Sequence, residues 1–400
     1  MILFALKFEF FEKRPIKEPL INNILPSISI YRIMNTPALD MIDIVDNQVL
    51  MHYLAEEECG PRQEKIDGRF LTDFMFHRHF RFSKHGFEEL LKMVAPILTH
   101  PTRRGGGLDP AIQLQAGLNH LAGRQFQRTT GLTYGASQNN ARECLIRVVD
   151  AIITLKDQYI YMPNAREKKE TSDFCFAKKG LRGFAWGIDG THCFFVKEPK
   201  GLPANVDSQR FYSRKQRYSI NVQVVGNENR ICDIDCRWPG GTHDSNIYHF
   251  SEARQHMESQ ITYKCAGDSG YAISQIMVKP YTTAEALNDN RKALFNHKLS
   301  SIRTIMTENI FGRWKQRFPI LRNLSTHLVL SQKIILATAI LHNIATLWNE
   351  EIPDGDLDDD QLEEPNEEEL RTVVNYEVSV NQTRRIGQVE RDLMLQRDIP

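Results

Sequence analysis

Hydrophobic and polar positions along this chain change period several times, and each change marks an element. From Gly183 to Phe195 they alternate. Phe184, Trp186, Ile188 and His192 share one face of a predicted strand, and Ala185, Gly187, Asp189, Thr191 and Cys193 the other. Asp189 therefore stands among small neighbours in an otherwise apolar strand. A carboxylate there is costly unless a cation neutralises it, and small flanking residues leave room for a cation and a substrate. Two further strands, RYSINVQVVGN and RICDIDCRWPGG, pair as a hairpin around Gly226–Asn229. THDSNIYHFSEARQHMESQ reads as a helix with Ile247, Phe250, Ala253 and Met257 inward. ITYKCAGDSGY is a fourth strand ending at Asp268, and IMVKPY is a candidate continuation of the sheet. Asn288 to Phe318 is helical, and Ser331 to Leu347 is so nearly all apolar that it must be buried.

Upstream, order is expected from about Leu71. Ser83 is placed to cap a helix with Phe87, Leu90, Leu91 and Val94 on one stripe before Pro96. Pro110 begins a helix over Ala111–Ala122. RQFQRTTGLTYGASQNNARECLIRVVDAI has the layout of a helix-turn-helix: Phe126 on a first helix, Gly135 in the turn, Ser137 as cap. Ala141, Leu145, Val148 and Val149 face inward on the second helix. Gln138, Asn139 and Arg142 lie near the start of that helix, where a DNA-reading helix meets base edges. A small helical bundle packed on the next domain fits the same spacing. The organisation read from the chain is an unassigned extension (1–70), a helical, helix-turn-helix-like domain (71–155), a polar linker or peripheral helix (156–183), a second domain (184–349) and an acidic tail expected to be disordered (350–400).

The formal charge of zero conceals an asymmetry. Residues 350–370 hold twelve acidic and no basic side chains; with fifty of each sign in the whole chain, the rest carries an excess of twelve positive charges. A basic body suits a polyanionic partner. Seven scattered cysteines form no paired framework, which points to a reducing compartment, and Cys232 and Cys236 read as buried thiols rather than metal ligands. No run of about 18 apolar residues predicts a membrane span. The N-terminal MILFALKFEFF is interrupted by Lys7 and Glu9 and has no basic start, so it does not read as a signal peptide.

The order strand, strand, strand, helix, strand, helix describes an α/β fold with a ribonuclease-H-like mixed sheet flanked by helices. In it, carboxylates from the first strand, the end of the fourth and a late helix converge. Asp189 and Asp268 take the first two positions. On the late helix Leu299, Ile302, Ile305, Phe311 and Trp314 mark an apolar face, and Glu308 stands at its edge, directed toward the sheet. Asp244 has two readings, a helix cap or a fourth acidic group brought close by the glycines before it. Such clusters suit Mg²⁺ or Mn²⁺, hard cations that prefer oxygen. Two such ions roughly 4 Å apart clamp the attacking and leaving oxygens of a phosphodiester displacement. Arg214, Lys215 and Arg217, with Arg313, Lys315 and Arg317, are expected to form a basic rim around that site; solvated charges on a loop and a helix end are the plainer alternative.

Six blocks occur in order: DGTH at 189–192, YSRKQRYSINVQ at 212–223, GGTHDS at 240–245, GDSGY at 267–271, FNHKLSSIRTIMTENIFGRWKQRF at 295–318 and ILHN at 340–343. Together they resemble the signature blocks of the PIF/Harbinger transposases and of the domesticated nuclease derived from them, over about residues 184–343, with a weaker match from about 74 to 155. The resemblance implies a metal-dependent DDE nuclease whose acidic residues fall on Asp189, Asp244, Asp268 and Glu308. It also implies a nuclear location with a cytoplasmic pool, DNA as partner, and a separately encoded Myb-like companion that brings the protein to DNA; a homo-oligomer is left open. A domesticated protein that binds without cutting and a nuclease acting on RNA are the competing expectations.

Overall fold

Side-chain caps delimit the N-terminal helices of the computed structural model, which describes residues 67–99, 108–123, 138–202, 204, 206–352 and 380–399. Thr72 accepts the Met75 amide to open α1 (Asp73–Phe80), and Ser83 accepts that of Gly86 to open α2 (Lys84–Leu98), which runs on through Pro96. Asp109 caps α3 (Pro110–Ala122) with proline in its first turn, a position that needs no amide hydrogen. In α4 (Gln138–Ile153) Ala141, Leu145, Val148 and Val149 are buried. Phe126, Gly135 and Ser137 of the helix-turn-helix reading lie outside the described residues, as do residues 1–66.

The stretch expected as a linker or peripheral helix contains α5 (Ala165–Lys179). Asn164 and Glu167 form its capping box, and Thr171 and Cys175 are buried where it packs against the first strand. Five strands follow: β1 (Phe184–Phe194), β2 (Ser219–Gly226), β3 (Ile231–Pro239), β4 (Lys264–Ala266) and β5 (Met277–Val278). They lie in the order β3-β2-β1-β4-β5, with β1 to β3 antiparallel and β4 and β5 parallel to β1. This is the mixed sheet of a ribonuclease-H-like fold. The β2–β3 hairpin closes on Asn227, whose side chain accepts the amides of Asn229 and Arg230.

Two corrections to the periodic pattern have local causes. A register irregularity between Phe184 and Trp186 breaks the alternation, so Phe184 packs in a different cluster from Trp186 and Ile188. The helix after β3 is two helices, α6 (Asp244–His249) and α7 (Glu252–Glu258), reset by Ser251, which caps the second. Ile247, Ala253 and Met257 stay buried, but the break turns Phe250 outward to stack on Trp238.

On the other face of the sheet lie α8 (Asn290–Arg303), a π-helical turn (Thr304–Glu308), α9 (Asn309–Arg317) and α10 (Leu328–Leu347). By length and composition α10 is able to cross a bilayer, yet here it is an interior helix packed on α4 and β3, with Ser331, Thr338, His342 and Asn343 buried. Asn343 donates to the Tyr159 and Ile231 carbonyls, and accepts the Ile231 amide.

The tail differs from expectation at its end. Residues 353–379 lie outside the described chain, but α11 (Val380–Asp398) is a helix docked beside β5 and α8. Met394, Leu395 and Ile399 join one cluster with Val278, Tyr281, Phe295 and Leu299. The Arg391 guanidinium lies 3.7 Å from the centre of the Tyr281 ring, whose hydroxyl donates to Asp392 at 2.7 Å. The polar composition of residues 350–400 had masked this narrow apolar stripe, which is stable only because the sheet edge covers it.

Candidate metal centre and nucleic-acid interface

The β1–β4 ladder ends at the pair Gly187–Ala266, and the acidic residues gather just past that end. Asp189 is two residues further along β1, and Asp268 two residues beyond β4. Asp244, the first residue of α6, completes the group: one carboxylate oxygen from each of the three lies within 4.8 Å of the others. A side chain at position 190 would place its Cβ 2.6 Å from the Asp244 carboxylate, so only glycine there lets Asp244 reach β1. The capping alternative for Asp244 does not hold. The cap position is His243, which makes no side-chain cap bond, and Asp244 instead accepts from Asn221 of β2 at 2.6 Å. Gln223, two residues along the same strand, donates to the Asp244 carbonyl and to the Tyr271 hydroxyl.

Burial dominates the electrostatics. It pushes the Asp189 carboxyl up to about 7; Arg303 opposes the rise, while Asp268 and Asp244 add to it. Asp244 is raised as well, by burial and then by Asp268, against its bond from Asn221. Three half-buried acids that repel one another are relieved by a cation, and an all-oxygen donor set suits a hard divalent ion. The residues present thus fit a Mg²⁺ or Mn²⁺ site held by Asp189, Asp244 and Asp268.

Glu308 reaches the site indirectly. Its side chain is 41% exposed, and it is not one of the three clustered acids. Instead Arg303 spans the gap, with Nη1 2.8 Å from Asp189 Oδ2 and Nη2 2.7 Å from Glu308 Oε1. Thr304 donates to the other Glu308 oxygen at 2.8 Å. The π-helical turn explains both the bridge and the error in phase. Residues five apart stand about 140° apart around an α-helix, whereas a π turn brings them one above the other. Its extra residue shifts the buried stripe from Leu299 and Ile302 to Met306, Ile310 and Trp314, leaving Ile305 and Phe311 only half-buried. The turn is seated on a bare patch of sheet, because Gly187 and Gly226 are direct register partners on β1 and β2. A Cβ on Gly187 would come within 2.6 Å of Met306 Cβ, and one on Gly226 would run into the Met306 carbonyl. Arg303 was not read from the sequence as a site residue; its spacing from Glu308 carries that meaning only once the π turn is known.

The basic residues divide into groups. Arg214 and Lys215 are exposed; Arg214 contacts the His243 ring beside Asp244, and both act on His192, which burial first and Lys315 next hold down at about 4. Arg217 lies over the Phe194 ring at 4.4 Å and donates to Asn323. Arg313 is half-buried, on the turn after Glu308. Lys315 points inward, donating to the Thr191 hydroxyl at 2.6 Å and the His192 carbonyl at 2.9 Å, and burial lowers its pKa. Arg317 departs from the expected rim: it is buried and donates to the carbonyls of Arg81, Glu350 and Glu351, because α9 turns its last residue toward α1 and α2. Arg142 is exposed beside Glu143; the side chains of Gln138 and Asn139 lie outside the described residues.

Comparison with known families supports a nuclease-type protein, which this fold and acidic cluster suit. Residues 188–343 match the family described as DDE superfamily endonuclease. It is similar to the proteins named "Putative nuclease HARBI1". It is 23% identical to that of Bos taurus over 331 residues, which cover 78% of this chain and 89% of the relative. The Homo sapiens protein is 23% identical over 326 residues, with the same coverages of 78% and 89%. The Xenopus laevis protein is 22% identical over 285 residues, covering 69% of this chain and 79% of the relative. No solved structure matches the chain.

Proposed function

We propose that this protein is a divalent-metal-dependent DNA endonuclease of the Harbinger transposase type, cleaving phosphodiester bonds with two ions. The convergence of Asp189, Asp244 and Asp268 within 4.8 Å, from three separate segments, carries the reading. Those three residues hold the metal, with Glu308 beside them. The chemistry the ions supply is activation of a water or a 3′-hydroxyl and stabilisation of the departing oxygen. The chain's own part is positional. Asn221 and Gln223 fix Asp244 through its carboxylate and its carbonyl, and Gly190 admits it to the strand. Arg214, exposed against His243 beside Asp244, and the exposed Lys215 next to it in the chain would hold a phosphate backbone.

DNA as the substrate, a nuclear location with a cytoplasmic pool and a Myb-like companion that delivers the protein to its target belong to the same proposal. Arg142, with Gln138 and Asn139, adds a candidate contact on α4. The competing function is DNA or partner binding without cleavage. Supercoiled and terminal-repeat DNA incubated with Mg²⁺ or Mn²⁺ separates them: nicked and linear products should form with the parent protein and not with Asp189→Asn. Retained binding without products from the parent would leave the competing function standing.

A further inference from the structure

The four oxygens of Asp189 and Glu308 are all engaged by groups of the chain itself. Asp189 Oδ1 takes the Gly190 amide and Oδ2 takes Arg303; Glu308 Oε1 takes Arg303 and Oε2 takes the Thr304 hydroxyl. The two acids on the other side of Asp189 differ. The Asp244 bond from Asn221 and the Asp268 bond from the Gly270 amide each fall on Oδ1, and both acids approach Asp189 within 4.8 Å. A cation is therefore free to join the three aspartates, while the position between Asp189 and Glu308 already holds a positive charge, the Arg303 guanidinium. That side chain is only 17% exposed and is seated by the π turn, so it is not a surface arginine making a passing contact.

We propose that Arg303 is a positioning residue that reserves the Asp189–Glu308 position, withholding Glu308 from a second divalent ion until a nucleic-acid phosphate offers the guanidinium another anionic partner. The idea rests on the metal-dependent reading above. Arg303 suits the role because a guanidinium is always charged, binds carboxylate and phosphate alike through its fork of donors, and is less strongly hydrated than an ammonium. Exchanging two carboxylates for a phosphate keeps the cation paired, so the move leaves no buried charge alone. The consequence is that Glu308 is presented to metal only when substrate is in place.

The test counts bound Mn²⁺ on the full chain by electron paramagnetic resonance and titration calorimetry, with melting curves to confirm folding. The parent protein should bind one ion per chain alone and two with a short duplex of random sequence. Arg303→Gln should bind two without DNA, and the double change Arg303→Gln with Glu308→Gln should return to one. Two ions on the parent without DNA would overturn the inference, as would a count of one that neither DNA nor Arg303→Gln raises; both results would leave the metal-dependent reading intact. No Mn²⁺ bound in any sample would overturn that reading and the inference together. The parent measurement with and without duplex decides the matter even where Arg303→Gln fails to fold.

Discussion

Asp189 shows how one side chain couples charge to stability. Its folded pKa, pushed up to about 7 by burial and by Asp268 and Asp244 against the pull of Arg303, lies above the 3.8 of an unperturbed aspartate. Between those values the metal-free folded state binds more protons than the unfolded chain, so this residue's contribution falls as pH rises from about 4 to about 7. His192 and His120, held down near 4 by burial, act in the opposite direction over much of the same range, which makes a raw pH profile ambiguous. The informative quantity is the difference between parent and Asp189→Asn. Without metal the variant should gain on the parent as pH rises through that window, by on the order of 1 kcal/mol or more above pH 7. Melting curves in EDTA across pH check this, and added Mn²⁺ should stabilise the parent more than the variant. A pH-independent loss of stability in the variant would mean that Asp189 acts as a packing residue.

Among the elements, α11 and the π turn illustrate two ways in which local sequence misleads. The turn gains its place from the Gly187–Gly226 patch beneath it, and α11 from the apolar edge that β5 and α8 present. A polar helix with two buried anchors, Met394 and Leu395, and a third just past its end, Ile399, is marginal by itself and stable when docked. Truncation after residue 379 uncovers Val278, Tyr281 and Phe295. Each fully buried anchor contributes ~1.5–3 kcal/mol by area, so the truncated chain should lose on the order of 3 kcal/mol or more after the upper-bound nature of such sums is allowed for. The denaturant midpoint measures this directly, and an unchanged midpoint would show that α11 is dispensable to the sheet.

Across the whole molecule, the helical N-terminal part and the sheet share a core. One cluster runs from Phe76 and Leu90 through Leu145 and Val148 to Val222, Trp314 and Ile340. A polar knot ties the same parts together: Glu350 accepts the Ser83 amide and hydroxyl, and Arg317 donates to the carbonyls of Arg81, Glu350 and Glu351. Arg317→Ala removes the donor that the buried Arg81 carbonyl and the part-buried Glu350 and Glu351 carbonyls share, and should cost about 3 kcal/mol or more. It should do so without altering the salt dependence of DNA binding, since Arg317 is not on the rim. Replacing Arg214 and Lys215 together should do the reverse, reducing the salt slope by roughly 2 while leaving the melting temperature nearly unchanged. Filter binding at several salt concentrations, run beside melting curves, distinguishes the two; a reduced slope for Arg317→Ala would contradict its placement at the knot.

Short-range physics made several features legible from the chain alone. Alternation marked β1, the turn at Gly226–Asn229 marked the β2–β3 hairpin, a cap at Ser83 and a proline at Pro110 marked helix starts, and an acid in an apolar strand marked Asp189, because each signal depends on neighbours a few residues away. The order of elements then placed Asp268 at the mouth of the sheet. Contacts over long separations were decided only in three dimensions. The choice of Asp244 as third acid rests on Asn221 and on the absence of a side chain at Gly190. The withdrawal of Glu308 behind Arg303 needs a π turn, which no periodicity announces and which exists because two glycines 39 positions apart in sequence meet across a strand pair. Arg317 and α11 were misread for the same reason: a charged residue or a polar helix becomes interior only when distant carbonyls or a distant apolar edge are brought to it, and that is a property of the folded chain rather than of any stretch within it.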